Sequence, residues 1–310
     1  MKHKIVLLLP VFLMTFFVVF AVVTAVFFLV HLVPGDPVIA ILGENAGLKD
    51  IDALRHELGL DLPLIQQWFN YLLHVVKLDF GMSFYYHAPV APIVMQGFFS
   101  TALLAVTSFL IALSVGIPLG VVAALNYRGK WDGFATLVAL LGLSIPNFVL
   151  GPLLILCFSI NLKLLPVGSN EGLDSLVLPS LTLGLSFAAI LTRMSRAAVL
   201  DVLSEPFVIA ARAKGLSEAR VVVNHILRNA FLPVLTTLGL QVGVLLGGAV
   251  ITEAVFSWPG LGSLLVDSIT RRDYQMLQAC VLVVSFSYVI INMVTDILYR
   301  LLDPRIEGQL

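Results

Sequence analysis

The residues best placed to act on something outside the chain form a polar run in an otherwise apolar sequence: Ser204, Glu205, Pro206, Phe207, Ala210, Ala211, Arg212, Lys214, Gly215, Ser217 and Glu218. Phe207, Ala210, Ala211 and Lys214 share one face at helical spacing, and the two alanines let that face lie close against another surface. The chemistry on offer is non-covalent docking. An exposed apolar strip of this kind needs a cover, either a protein partner or the inner leaflet of a membrane.

Covalent chemistry finds little support. The chain has no Gly-x-x-x-x-Gly-Lys-Ser/Thr loop, the usual cradle for ATP phosphates, and no His-Glu-x-x-His pair or nucleophile elbow. Cys157 and Cys280 both lie in apolar runs with no Cys-x-x-Cys spacing or neighbouring His, which makes them packing residues in the reduced state.

A second group of polar residues is embedded in apolar surroundings. Ser144-Ile145-Pro146-Asn147 sets two polar side chains about a proline kink, Gln241 interrupts a greasy run, and Glu253 stands one turn before Phe256. Ser144, Pro146, Asn147, Gln241 and Glu253 are therefore the candidates for a pathway or gate. For Glu253 the competing reading is an ion pair with Arg271 or Arg272, and Asp296 stands at i, i+4 spacing from Arg300. No run of acids suits a proton relay, and no arginine ladder suits a voltage sensor.

The elements that must hold these residues are membrane spans. With 59% hydrophobic and 12% charged residues, 310 residues cannot hide their apolar side chains in one water-soluble core. Crossing the hydrocarbon takes roughly 20 apolar residues. Six runs qualify, at about 5–33, 98–125, 134–160, 176–191, 231–256 and 279–302. The fourth is the weakest, diluted by Pro179, Gly184 and Ser186 and closed by Arg193. The first is too long for a signal-peptide core and is expected to be retained. With the amino terminus inside, twelve of the eighteen Lys and Arg fall on inner segments, so both ends are expected in the cytoplasm. The net charge of −1 says little about partners, because the basic residues are sorted by side of the membrane, and no basic face for nucleic acid remains.

The chain thus divides into a first span (1–33), an extracytoplasmic segment (34–97) and a five-helix core (98–310) with an inner loop at 194–230. In the outer segment, Pro63 opens a helix whose Ile65, Trp68, Phe69, Leu72, Leu73 and Val76 fall on one side. That helix either lies at the membrane interface, held by Trp68 and Tyr71, or touches a delivery protein. Asp36, Trp68, Trp258, Arg272 and Asp273 are the outer-face contact candidates, with Trp258 suited to the headgroup layer. Gly116 and Gly120, and Gly239, Gly243 and Gly247, recur every four residues and read as seams for close helix approach. In the inner loop Ser204 is expected to cap a short helix that stops at Gly215, and Ser217 to start another.

Ala211-Arg212-Ala213-Lys214-Gly215-Leu216-Ser217-Glu218, then His225-Ile226-Leu227-Arg228-Asn229-Ala230 and Pro233, resemble the coupling loop of inner-membrane permeases in the dipeptide, oligopeptide and nickel group of ABC importers. Pro34-Gly35-Asp36-Pro37, Asp79-Phe80-Gly81, Leu178-Pro179-Ser180, the 256–262 run, Arg272-Asp273-Tyr274 and Asp303-Pro304-Arg305 match in order as well, so the resemblance covers essentially the whole chain. Ile209 stands where the wider importer signature has Glu, and His225-x-Leu227-Arg228 replaces Ile-x-Leu-Pro, both usual in this branch. The resemblance implies an all-α polytopic protein with six transmembrane helices and the type I ABC importer permease fold. It also implies a bacterial inner-membrane location and a polar run that couples to an ATPase through Glu205, Phe207, Ala210, Ala211, Arg212, Lys214, Gly215, Ser217 and Glu218.

The implied partners are a second permease, two cytoplasmic ATPase subunits that bind ATP and Mg, an extracytoplasmic solute-binding protein, and membrane lipid. No cofactor is expected in this chain, which is not itself an enzyme. The implied cargo is dipeptides or short oligopeptides, with nickel chelates and glutathione-like peptides as alternatives. The rival classes are an intramembrane enzyme, which lacks its motifs here, and a channel or secondary carrier, which would work without an ATPase.

Overall fold

The computed structural model describes residues 2–32, 37–42, 47–57, 59–168 and 172–302. The helices are α1 (Lys2–Leu32), α2 (Pro37–Leu42), α3 (Leu48–Glu57), α4 (Leu64–Val76), α5 (Val90–Leu125), α6 (Lys130–Ser144), α7 (Asn147–Leu154), α8 (Asp174–Leu203), α9 (Pro206–Ala213), α10 (Glu218–Val221), α11 (Arg228–Phe256), α12 (Leu261–Arg271) and α13 (Tyr274–Leu302). Wider π-helical turns at Ile155–Asn161 and Val222–Leu227 follow α7 and α10. A small antiparallel hairpin, β1 (Met82–Ser83) and β2 (Ala88–Pro89), pairs Met82 with Pro89 and Ser83 with Ala88. The fold is all-α and polytopic. Among the described residues, α5, α8 and the Tyr274–Thr295 stretch of α13 are each long and apolar enough to cross a bilayer, and two bent pairs raise the number to as many as five.

The chain forms two compact units, Met1–Ser100 with Pro259–Ile290, and Thr101–Trp258 with Ile291–Leu310. In the first, Val90, Val94, Leu261, Met276, Ala279 and Cys280 make one core, and Val23, Val26, Val75 and Leu282 another. The face of α4 differs from the expected one. Trp68, Tyr71, Leu72 and Val75 turn toward α1, where the Trp68 ring meets Phe20 edge-on at 5.9 Å and Nε1 donates to Thr24 at 3.4 Å. Ile65, Phe69, Leu73 and Val76 stay exposed, because the apolar arc of α4 is wider than α1 can cover.

The second unit is built around α8. Of its apolar stretch, 72% is buried, against 33% for α5. Gly116 and Gly120 form the expected seam: a Cβ at Gly116 would lie 2.7 Å from the Ala188 carbonyl, and one at Gly120 2.5 Å from that of Thr192. Gly239 is a second close approach, against Thr295.

Two spans differ from expectation. The fourth, weakest in sequence, is the longest helix of this unit's interior and runs past Arg193 to Leu203. Arg193 itself stays exposed, and Arg196 finds a carboxylate at Asp132, so neither charge ends the helix. The third is not straight: α6 and the α7 segment meet at 103° across Ile145 and Pro146. Proline drives the preceding residue out of the helical region, and Ile145 is extended at φ −94°, ψ 111°.

Candidate functional site

The loop between α8 and α10 begins where α8 ends. Ser204 does not cap the following helix; its Oγ donates back to the Asp201 carbonyl at 2.8 Å, closing α8 instead. Glu205 takes the extended N-cap conformation without a side-chain bond, and Pro206, with its fixed φ and no N–H to satisfy, opens α9. Only Ser204 and Glu205 separate α8 from α9.

The far end of α9 is a two-bond glycine stop. The Gly215 N–H donates to the Arg212 carbonyl at 2.9 Å, and the Leu216 N–H reaches the Ala211 carbonyl at 3.4 Å, with Gly215 at φ +76°. A left-handed residue in this motif is tolerated best as glycine. Arg212 then forks onto Glu218, Nε to Oε1 at 2.9 Å and Nη2 to Oε2 at 3.2 Å, bracing the turn from outside. Both side chains are exposed, so the pair orients more than it stabilises. Ser217 N-caps α10 by backbone conformation alone.

The outward strip of α9 is not the one that spacing suggested. Val208 and Ala211 turn inward and join the core with Val221 and Ile226, while Leu203 and Leu216 pack against it. Phe207, Ile209, Ala210 and Lys214 face out, with Ile209 62% exposed. Val208 and Ala211 together fasten α9 to its own subunit. The result is a rigid, two-turn helix presenting Phe207 and Ile209 on a firm base.

Among the embedded polar residues, Asn147 opens α7 directly after the bend, and its Oδ1 accepts a hydrogen bond from Ser186 of α8 at 2.5 Å. Ser144 is exposed at the end of α6, and Pro146 is the N-cap of α7. Gln241 is half-buried, with Oε1 enclosed and without a hydrogen-bond partner among the described residues. Glu253 is fully buried and accepts from Thr101 Oγ1 at 2.6 Å. Of the two arginines suggested for it, Arg271 lies over the Tyr85 ring at 3.6 Å and Arg272 is exposed.

The outer-face candidates separate in the structure. Asp273 is buried and accepts from Ser83 Oγ, from the Tyr85 N–H at 3.5 Å and, through Oδ1, from the Met276 N–H at 3.2 Å, so it caps α13 and tethers the hairpin. Trp258 is 2% exposed and joins the core of the second unit, where Ser257 at φ +50° turns the chain. Trp68 is half-buried against α1, and Arg272 is exposed. Asp36 lies outside the described residues, as do the Asp296 and Arg300 side chains.

One arrangement escaped the sequence. Arg196 of α8 forks onto Asp132 in the first turn of α6, Nε to Oδ1 at 2.6 Å and Nη2 to Oδ2 at 3.0 Å. Oδ2 also accepts from the Arg128 N–H at 2.9 Å, and the guanidinium lies over the Tyr127 ring at 5.6 Å. The partners are 64 positions apart. The one available signal was the cost of leaving an acid and an arginine unpaired at the ends of apolar helices.

Residues 116–308 match the family model for the binding-protein-dependent transport system inner membrane component, and residues 4–105 match that family's N-terminal region. The glutathione transport system permease protein GsiC of Escherichia coli strain K12 is 45% identical over 289 residues, 93% of this chain and 94% of that protein. GsiC of Shigella boydii serotype 4 is 44% identical over the same span. Among solved structures, the MetNI methionine ABC transporter in an inward-facing conformation aligns with a TM-score of 0.57 at 19% identity, over 68% of this chain and 96% of that one. An amino acid ABC transporter crystallised with histidines aligns at 0.56 and 17%, over 68% and 94%. At such identities these two likenesses speak for the fold.

Proposed function

The chain belongs to the binding-protein-dependent transport system inner-membrane components, the permease subunits of ABC importers, and from that premise we propose that it imports short peptides of the glutathione class, driven by ATPase subunits that dock on α9. It is a multi-pass inner-membrane protein and a transport component rather than an enzyme, in a system whose ATP is handled by partner subunits. Its working complex holds a companion permease, two ATPases and an extracytoplasmic solute-binding protein. The ATPases carry the ATP and Mg.

The observation that carries the coupling role is the exposed Phe207–Ile209–Ala210–Lys214 strip on a helix stopped by Gly215. Two large apolar side chains on a rigid two-turn helix suit a cleft in a partner, where burying each is worth about 1.5–3 kcal/mol. Closure of the ATPase dimer presses on α9, and the spans exchange an outward-open for an inward-open arrangement. With α9 on the ATPase side, both termini lie in the cytoplasm, in keeping with the lysine and arginine asymmetry. Ser144, Asn147 and Gln241 are the groups offered to the pathway, while Glu253, buried on Thr101, ties α11 to α5. A channel or secondary carrier would have no use for the α9 strip.

Cargo of the glutathione class draws its support from the extent of likeness to GsiC. The test is uptake into proteoliposomes holding the permease with its companion, ATPases and binding protein. Labelled glutathione, a labelled dipeptide and a nickel chelate are offered in parallel. ATP-dependent accumulation of glutathione or the dipeptide above the nickel chelate is expected. Preferred uptake of the chelate overturns the cargo assignment, and uptake by the permease alone overturns the coupling.

A further inference from the structure

Within the second unit, α6 and the start of α7 are fastened to α8 at three levels. At the start of α6 Asp132 is forked by Arg196. Farther along, Gly142 lies so close to α8 that an added Cβ would stand 2.9 Å from that of Ala189. Past the bend, Asn147 takes a hydrogen bond from Ser186 at 2.5 Å. The order along α8 is reversed, 196, 189, 186, so the helices are antiparallel and joined over most of the length of α6.

Arg196 is itself confined from the other side. A Cβ at Gly120 of α5 would come within 3.0 Å of the Arg196 N, which presses that turn of α8 against α5. The backbone that carries the guanidinium is thus held against α5. Beyond Arg196, α8 continues to Leu203 and reaches α9 after two residues, while Ala198 and Val199 of α8 share a core with Val208 and Ala211 of α9. α9, the end of α8, and α6 form a continuous packed path to the bend at Ile145 and Pro146.

We propose that the Asp132–Arg196 pair is a positioning element of the transport cycle: with the Asn147–Ser186 bond at the far end, it makes α6 and α8 one body, so that a push on α9 is delivered to the bend that carries Asn147. The proposal rests on the reading of α9 as the ATPase contact. A charged, bidentate pair suits the task because each of its bonds is strong and directional, and because Lys in place of Arg keeps the charge while losing the fork.

The experiment uses the whole reconstituted importer carrying Arg196→Lys, with labelled glutathione and a labelled dipeptide as probes and ATP hydrolysis measured in the same vesicles. The variant is expected to assemble and hydrolyse ATP as the wild type does, while cargo imported per ATP falls about tenfold, the effect of one charge-assisted hydrogen bond. Ser186→Ala is expected to lower the same ratio. An unchanged ratio in Arg196→Lys overturns the proposal. So does failure of that variant to assemble, since the pair would then be a folding element only. A wild type that hydrolyses ATP without importing either probe is judged by a second measurement: spin labels at Leu137 of α6 and Arg193 of α8, both exposed. Their separation is expected to change by less than about 2 Å between the ATP-free and ATP-trapped complex, and a larger change overturns the proposal. A wild type whose uptake ignores ATP sinks the α9 reading and the clamp with it, whereas ATP-driven uptake with an unchanged variant ratio sinks the clamp alone.

Discussion

Gly215 and Leu216 close α9 by returning their N–H groups to the Arg212 and Ala211 carbonyls, and they can do so only because Gly215 holds φ +76°. The turn that ends α9 is thus tied to Ala211, which joins the core beneath it.

Gly215→Val is expected to leave membrane insertion and ATP hydrolysis intact and to abolish most uptake. No atom lies within 4 Å of a Cβ built at Gly215, so the cost is conformational, at least about 1–2 kcal/mol at a left-handed position. Gly215→Asn, which accepts that conformation, should retain uptake. Equal uptake by the valine and asparagine variants would count against the role of the glycine stop.

Phe207→Asp combined with Ile209→Asp should leave the permease folded, since both side chains are exposed and such surface changes cost within about 0.5 kcal/mol. The ATPase subunits should no longer co-purify with it. Retention of stoichiometric ATPase on the affinity column would remove α9 as the contact.

Gly120→Leu should prevent stable accumulation in the membrane. Its Cβ would lie 2.5 Å from the Thr192 carbonyl and 2.8 Å from the Ser195 Cβ, and neither neighbour is a flexible chain end. Overpacking of this kind costs about 1–3 kcal/mol or more. Gly133→Ala, with open space around it, is the control. The readout is the monodisperse fraction of detergent-solubilised protein, and equal yields for the two would argue against the α5–α8 seam.

Asp273→Ala should free the 82–89 hairpin. It leaves Ser83 Oγ and the Tyr85 and Met276 N–H groups without their acceptor, at roughly 1–3 kcal/mol. A two-stranded hairpin is marginal by itself, so faster amide exchange is expected at residues 82–89 before the rest of the protein opens. Unaltered protection there would show that other contacts hold the hairpin.

Much of this protein was legible in its residues because the signals involved are local or cumulative. Apolar runs at 98–125 and 231–256 mark helices wherever their neighbours lie, since hydrocarbon leaves the backbone no other partner but itself. Pro206 and Gly215 mark the ends of α9 by conformational limits that belong to each residue alone. The four-residue spacing of Gly116 and Gly120 likewise announced a close approach, though not which helix would come.

Spacing failed where a choice depended on what stands opposite. Phe207, Ala210, Ala211 and Lys214 share a face in sequence, yet Ala211 is drawn inward with Val208 because α10 and the end of α8 cover that side. Trp258 and Asp273 were expected outside and are buried, one turned by Ser257 and the other claimed by three donors.

The sequence by itself determined the solvent, the helices and the family, because hydropathy, backbone limits and an ordered set of motifs are carried residue by residue. Tertiary structure alone decided which side of α9 faces outward, how far α8 extends past Arg193, and that Asp132 meets Arg196 across 64 positions. Those outcomes depend on pairing between distant groups, and a buried charge is stabilised by whichever opposite charge the packing of helices brings within reach.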